Sequence, residues 1–588
     1  MGTKRVMGAA LALSLLGAAC ARPSEPGAAS PMSGKRTEGR RGMVSASQPD
    51  AAAAGATILR RGGNAMDAAV ATAFALSVTD ISQTGIGGGG ALTWYDARAR
   101  RAEHLSFYAR TGEDTAWAAD DSALDDATRR VRGAATPGMV AGLLEAHSRH
   151  GRLSRAEVMA PAIALARDGF VVTPLLARTI TSARERLRTD SAAAALLMPR
   201  GEALRPGERL VQLELASTLE RIASEGAPAF YTGAIARQLS AEVRSLGGLI
   251  TERDLAVYPV ATMAPLCAEW RGHAVLGAPP PMGGAAVLAI LQMADAAGVA
   301  DSRRGLTDDA QAVTALAGIQ RLVAADGSWW RGDPAVMAVP ARGFASRSYA
   351  VARTAGVGSG VVPDTARRGD PWSHEMSAMP STCPRDTYPS AVPSSPDARD
   401  TDVVDVARDG ESFTSHLSVV DADGNAVSAT TTVGVLFGSG IYTGGFFLNS
   451  SGNNLDARTR GTDRYANSTM SPTIILEGGK VRLVIGAAGS LYIQPATAQV
   501  TMRILAHGED AGLAIAAPRI QVNPLRRDVE VEPGFSSAVY EALVTRGYRP
   551  TSRVADLSFG AVHAVHVHND GRRIGVADPR RDGAAVAQ

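Results

Sequence analysis

With 588 residues, 45% hydrophobic and 20% charged, the chain has the balance of a soluble globular protein rather than a disordered or membrane-embedded one. Its length allows about two to four average domains. The formal charge is +2, with acidic and basic residues interspersed and no basic stripe, which excludes a nucleic-acid partner as a reading of charge.

Lys4 and Arg5 precede an uncharged run, 6–19, that ends Leu15-Leu-Gly-Ala-Ala-Cys20. This is a secretory signal, too short to span a bilayer. The small residues before Cys20 resemble a bacterial lipoprotein signal, in which that cysteine is lipidated and becomes the first residue. Gly17 departs from that pattern, and a plain signal peptide is the alternative. The expectation is an exported protein, periplasmic or membrane-anchored through Cys20, with no other membrane contact. Residues 21–41 are rich in Pro, Ser, Gly and Arg and read as a flexible tether. Beyond Cys20 only Cys267 and Cys383 remain, and two distant cysteines suggest no disulfide framework.

From Gly42 the pattern turns helical. Pro49 opens a helix to residue 61, Gly62 and Gly63 end it, and Asn64 is placed to cap a second helix to about residue 79. Gly85-Ile-Gly-Gly-Gly-Gly90 satisfies G-x-G-x-x-G, yet it follows a helix and precedes a strand, whereas a phosphate loop needs strand then helix. No nucleotide site is read here, and no cofactor is expected. The glycines instead permit close backbone packing and positive φ. Strands at 91–97 and 102–108 lead to Arg110. Thr136 and Pro137 are placed to start a helix ending near His150, and Ser154 with Glu157 forms a capping box for the next. Residues 380–410, rich in Pro, Ser and Asp, read as an exposed linker.

The run Ser412-Phe-Thr-Ser-His-Leu-Ser-Val-Val, then Asp421-Ala-Asp-Gly-Asn, then Ala426-Val-Ser-Ala-Thr-Thr-Thr-Val, reads as a β-hairpin. A loop symmetric about Asp423 sets Thr414 opposite Thr432. Alone, this is equally an ordinary cross-strand contact worth a few tenths of a kcal/mol. The residue order, however, resembles the opening of the small subunit of γ-glutamyltranspeptidases, which are N-terminal-nucleophile hydrolases. The similarity extends over about 42–583 and includes 42–110, Pro279-Pro-Pro-Met-Gly-Gly284, Phe446-Phe-Leu-Asn449, Asn467-Ser-Thr-Met-Ser-Pro-Thr473 and Asp578-Pro-Arg-Arg-Asp-Gly583.

The resemblance implies an α+β fold, a four-layer αββα sandwich, from a precursor that cuts itself before Thr414. The freed α-amino group then serves as general base for the Thr414 hydroxyl, because its ordinary pKa lies near 8. It further implies that Thr432 supports the nucleophile by hydrogen bonding to it, that Gly489 and Ser490 supply oxyanion donors, and that Arg110, Ser468 and Thr469 meet a substrate carboxylate. Ser451 and Asn454 fall at substrate-binding positions but replace a Gln and an Asp, and Gly434 replaces a polar side chain. Those departures weaken recognition of an α-ammonium. Another lies at Gly327, where the family has an Arg after Asp326, which puts a local salt bridge in question.

In the tail, His566 and His568 share a strand face, but no acidic or Cys partner completes a ligand set, so no metal is expected. The expected organisation is a signal at 1–20, a tether at 21–41, a large-subunit region at 42–379, a linker at 380–413 and a small-subunit region at 414–588. The leading reading is a γ-glutamyl hydrolase or transferase acting on glutathione-like amides, with water or an amine as acceptor and the two subunits of one precursor as partners. The alternatives are an acylase for glutaryl or other acyl amides without an α-ammonium, and a binding homologue with weak or no turnover.

Overall fold

The computed structural model describes residues 1–2, 35–119, 123–387, 413–455, 460–523, 526–554 and 559–588. The signal with Cys20, most of the tether, and the linker from 388 to 412 therefore lie outside the described residues.

Two seven-stranded antiparallel sheets form the centre. Their strands, in chain order, are β1 (Arg36–Gly39), β2 (Met43–Ala46), β3 (Gly89–Asp96), β4 (Arg101–Phe107), β5 (Ala261–Met263), β6 (Leu266–Trp270), β7 (His273–Gly277), β8 (Phe413–Val420), β9 (Ala426–Gly434), β10 (Thr473–Glu477), β11 (Lys480–Ala488), β12 (Ala561–Val567), β13 (Arg573–Ala577) and β14 (Ala584–Ala587). One sheet runs β1-β13-β12-β11-β10-β7-β6 and the other β14-β2-β8-β9-β3-β4-β5. β1 falls within the stretch read from sequence as tether. Its four residues pair with β13.

Alternation along the strands produces the layers. On β8 and β9, Leu417, Val419, Val427 and Ala429 join one apolar cluster with the helices Pro49–Arg60 and Ala65–Thr79. On the other sheet, Leu483, Ile485, Val562 and Ala564 pack with the helices Gly284–Ala296, Ala310–Ala325 and Ile493–Leu505. Between the sheets lies a third cluster that includes Val420, Ala426, Ile474, Val484 and Val565. The architecture is the four-layer αββα sandwich.

Local signals explain the helix ends. The Gln48 side chain accepts from the amides of Asp50 and Ala51 ahead of Pro49, and Asn64 and Asp67 form a full capping box. Ser154 and Glu157 form another. Thr136 departs from expectation, because the helix runs Met139–His150 from Gly138 with no side-chain cap. Thr136 instead exchanges backbone hydrogen bonds with Arg110, at 2.9 and 3.4 Å. In the glycine run, a Cβ on Gly88 would stand 2.2 Å from the Thr432 carbonyl, so the expected close packing is present. Positive φ is not: none of these glycines adopts it. Asp326 also finds a partner despite Gly327, pairing with Arg353 at 2.9 Å and accepting from Tyr349.

The cysteines correct the sequence reading. Cys267 on β6 and Cys383 are joined by a disulfide across a sequence separation of 116. The bond was illegible because nothing in the spacing of two cysteines says that the segment around Cys383 returns to β6.

The chain end is held by charge. Asp578, fully buried, accepts from Arg519 Nη2 at 2.7 Å, from the Val562 amide at 2.8 Å and from Arg580 Nη1 at 3.1 Å. Arg580 continues to Glu532 at 2.5 Å. Burial pushes the Asp578 carboxyl up, but the Arg519 and Arg580 charges and two backbone amides outweigh it and hold it far below the usual carboxylate range.

Two outcomes follow for stability. Cys383→Ser is expected to lower unfolding free energy by about 2–4 kcal/mol, measured by denaturant titration, and wild type denatured without reductant should expose no free thiol from Cys267 or Cys383. Asp578→Asn leaves Arg519 without its counter-charge and is expected to cost about 3–5 kcal/mol at neutral pH. Because the folded carboxyl is depressed, its stabilisation is complete above the ordinary carboxylate range and is lost as pH falls below it. The gap between wild type and variant should therefore narrow only in acid.

Candidate active site

The hairpin pairs as its residue numbers predict up to the end that matters. From Ser415 to Val420 the paired numbers sum to 846, as in His416 with Thr430, but Phe413 pairs with Gly434 and the register shifts between Phe413 and Ser415. Thr414 stands opposite two residues, Thr432 and Val433, so the extra residue of the bulge lies on β9. Bulges of this kind re-aim a side chain at a strand end.

Strand alternation points Thr414, His416 and Ser418 between the sheets and Ser415 toward the helices. His416 bonds Thr430 Oγ1 at 2.8 Å and Ser418 Oγ at 3.1 Å, while Ser418 Oγ donates to the His563 carbonyl of the facing sheet at 3.0 Å. Burial holds His416 well below its ordinary pKa. This interior is polar, buried and neutral.

Thr414 itself is 4% exposed, and its Oγ1 accepts a hydrogen bond from the Gly489 amide at 3.1 Å. Gly489 and Ser490 follow β11 directly, with φ of 128° and 50°. Ser490 thus holds a left-handed conformation that a β-carbon disfavours, a local cost at the site. Thr432 Oγ1 donates to the Phe413 carbonyl at 2.5 Å and accepts from the Gly434 amide at 2.8 Å. The sequence reading aimed Thr432 at the Thr414 hydroxyl. Because of the register shift it reaches the carbonyl that precedes Thr414.

Chemically, the arrangement is specific. A donor polarises the Phe413 carbonyl, the Thr414 hydroxyl lies one residue on, and a backbone amide is fixed on that hydroxyl. A polarised carbonyl and an adjacent hydroxyl are two of the parts that acyl transfer from Phe413 to Thr414 Oγ1 requires, the third being an acceptor for the hydroxyl proton.

The surrounding network was missed by sequence reading. The Thr414 carbonyl accepts from Arg581 Nη1 at 2.6 Å, and the same nitrogen donates to Gln83 Oε1 at 2.5 Å. Gln83 Nε2 donates to Asp80 at 2.8 Å, and Asp80 accepts from Ser415 Oγ at 2.5 Å. Asp80 ends the helix Ala65–Thr79. Burial raises its pKa, opposed by the Ser415 hydroxyl, the Arg581 charge and the Gln83 amide. Arg581 lies 167 residues from Thr414, so no local pattern could reveal the contact; only its place in the C-terminal motif hinted at a role.

On the substrate side the predicted residues fall into separate groups, and among the described residues no hydrogen bond joins Arg110, Ser451, Asn454, Ser468 or Thr469 to Thr414. Arg110 pairs with Asp463 at 3.2 Å, donates to its carbonyl at 3.3 Å, and stands over the Tyr465 ring. Asn454 Nδ2 donates to the Tyr108 hydroxyl at 3.2 Å. The Ser451 amide donates to Asn449 Oδ1 at 3.0 Å, while Ser451 Oγ is buried with no partner. Ser468 Oγ accepts from the Met470 amide, and the Thr469 carbonyl accepts from Ser471 Oγ. Gly434 has φ of +93°, a backbone conformation that side chains rarely adopt, and a Cβ there would displace the Ser450 hydroxyl, 2.4 Å away. His566 and His568 lie with ring centroids 4.3 Å apart and their planes tilted by 44°, and among the described residues no group of His, Cys, Asp and Glu is arranged to hold a metal.

Arg581→Ala removes the donor on the Thr414 carbonyl and is expected to slow chain cleavage before Thr414 about tenfold or more, with Arg581→Lys partly restoring it. The readout is the time course of the two chains on a denaturing gel.

Comparison with known proteins agrees with this geometry. The family model described as Gamma-glutamyltranspeptidase matches residues 51–588. The chain is 32% identical to a glutathione hydrolase proenzyme of Bacillus subtilis (strain 168) over 93% of this chain and 92% of the relative. It is 33% identical to an acylase ACY 1 proenzyme of Pseudomonas sp. (strain SE83) over 94% of each. The crystal structure of cephalosporin acylase from Bacillus halodurans superposes with a TM-score of 0.79 at 26% identity, covering 94% of this chain and 97% of that one. Fold, site and sequence together place this chain in the γ-glutamyltranspeptidase family, whose members arise from a precursor that divides into two subunits.

Proposed function

We propose that the protein is a self-cleaving γ-glutamyl hydrolase and transferase whose acyl carrier is the Thr414 hydroxyl. The observation that carries this reading is the pair of hydrogen bonds at the cleavage point, Thr432 Oγ1 to the Phe413 carbonyl and the Gly489 amide to Thr414 Oγ1. The Thr414 Oγ1 adds to the Phe413 carbonyl carbon, the peptide C–N bond breaks, and the proton lost from Oγ1 passes to that nitrogen, which becomes the α-amine of Thr414. Water then hydrolyses the resulting ester, leaving Phe413 as a carboxylate and Thr414 with a free amine and a free hydroxyl.

That amine is the base for turnover. It removes the proton from Oγ1 as the hydroxyl attacks a γ-glutamyl amide, Gly489 and Ser490 receive the oxyanion, and the amine returns the proton to the leaving nitrogen. Arg110 meets the α-carboxylate of the donor by a bidentate contact that replaces its exposed pair with Asp463, assisted by Ser468 and Thr469. Water or an amine resolves the ester.

A second reading rests on the substrate side. Asn454 offers an amide already bonded to Tyr108, Ser451 a hydroxyl, and Gly434 nothing, so these three positions give an α-ammonium no counter-charge. A carboxylate there would contribute about 1.5–3 kcal/mol. This favours an acylase for glutaryl-type amides, in keeping with the similarity to acylase ACY 1. Export, with a lipid on Cys20, remains part of the proposal, and the Cys267–Cys383 disulfide suits an oxidising compartment.

The test begins with a denaturing gel. Wild type is expected as two chains and Thr414→Ala as one, and a Thr414→Ala protein that still divides would sink the nucleophile assignment. Release of nitroaniline from γ-glutamyl and glutaryl anilides then separates the two readings. No release from either by fully cleaved protein would leave a binding homologue. Mass spectrometry of the mature N-terminus decides whether Cys20 is lipidated.

A further inference from the structure

On the side of the molecule formed by the helix Ala310–Ala325, a cavity of about 370 Å³ opens against the loop that follows the helix Arg347–Arg353. It shares no residue with the site at Thr414. Its walls are aliphatic, with Leu322, Val357, Val361 and Val362, and its charged lining is entirely cationic: Arg321, Arg353, Arg367 and Arg546. No Asp or Glu lines it.

The acidic groups nearby are committed elsewhere. Asp326 is held by Arg353, and Asp364 pairs with Arg527. Arg321 is the decisive residue. It is 3% exposed, its two terminal nitrogens clamp the carbonyls of Pro363 and Asp364 at 2.9 and 2.8 Å, and its Nε has no partner. Beside it the Tyr548 hydroxyl, also 3% exposed, has no hydrogen bond of good geometry. The Tyr548 hydroxyl and the Arg321 guanidinium face each other without an aligned hydrogen bond, the phenol proton has no acceptor and the guanidinium no carboxylate, and both costs fall if an anion enters the cavity.

We propose that this cavity binds an organic carboxylate with an apolar body. The carboxylate would take its hydrogen bonds from Tyr548 Oη and Arg321 Nε, with Arg546 and Arg367 at the rim, while the aliphatic wall covers the body. An inorganic anion would leave that wall in water, so the apolar portion is part of the recognition. Gly318 forms the floor: a Cβ there would meet Val357 and the Tyr548 hydroxyl at 3.5 and 3.6 Å, and a larger side chain would fill the space.

The experiment is calorimetric titration of the whole processed protein with hexanoate, octanoate and 4-phenylbutyrate, with 4-phenylbutyramide and inorganic phosphate as controls. Saturable binding of at least one carboxylate is expected, about tenfold or more tighter than the amide and the phosphate. Tyr548→Phe keeps the packing and removes the hydroxyl, and it should weaken that binding about tenfold while leaving anilide hydrolysis unchanged; Gly318→Leu should abolish it. Arg110→Ala should leave it intact, which separates this cavity from the substrate side of the Thr414 site. The proposal is overturned if no carboxylate binds at millimolar concentration, if amide and carboxylate bind equally, or if a folded Tyr548→Phe protein binds as wild type does.

Discussion

The site depends on a single slip of register. Had β8 and β9 kept their 846 pairing through Thr414, the two threonine side chains would have been neighbours in a regular ladder, and the Phe413 carbonyl would have been spent on a strand hydrogen bond. The shift between Phe413 and Ser415 takes Thr414 out of the ladder and gives that carbonyl to the Thr432 hydroxyl. One extra residue on β9 thus separates an ordinary hairpin from one in which the Phe413 carbonyl meets the Thr432 hydroxyl.

Such a slip persists only if the surroundings over-determine it. Here the constraint comes from the helical layer and from the chain end together. Asp80 and Gln83, at the close of one buried helix, hold Ser415 on one side and Arg581 on the other, and Arg581 holds the Thr414 carbonyl. Arg581 is itself fixed because Asp578, three residues earlier, is locked by Arg519 and Arg580. A buried ionic cluster of this kind contributes little net stability compared with apolar packing, but it defines one geometry where a greasy contact would tolerate several. The cost falls on stability and the return is the position of a carbonyl.

How much of this was legible in the sequence follows from the range of the forces involved. Interactions within a few residues were readable: the cap at Asn64, the capping box at Ser154 and Glu157, the arrest at Gly62, and the hairpin register that follows from the turn. The nucleophile was named from residue order, not from physics, since two facing threonines have an ordinary structural explanation. What sequence could not carry was contact between remote segments. The disulfide, the strand β1 within a Pro- and Gly-rich stretch, the Arg581 contact and the partner Asp463 of Arg110 each depend on how layers stack. Thr136 shows the same limit in reverse, because a good cap residue was used instead to brace the backbone of Arg110.

The electrostatics of the substrate side then bear on selectivity. Of Arg110, Ser451, Asn454, Ser468, Thr469 and the Asp463 that meets Arg110, only the arginine and the aspartate carry charge, and they face each other. Their pair is partly exposed, so it is worth at most about 1 kcal/mol. A carboxylate that engages the guanidinium through two hydrogen bonds competes with it successfully. An ammonium receives no comparable fixed partner from Asn454, whose amide donates to Tyr108, nor from Gly434, whose left-handed backbone disfavours a side chain. On the proposed reading discrimination falls mainly on the acid end of the acyl donor, while Gly434, at φ of +93°, lends its amide to hold Thr432 in place.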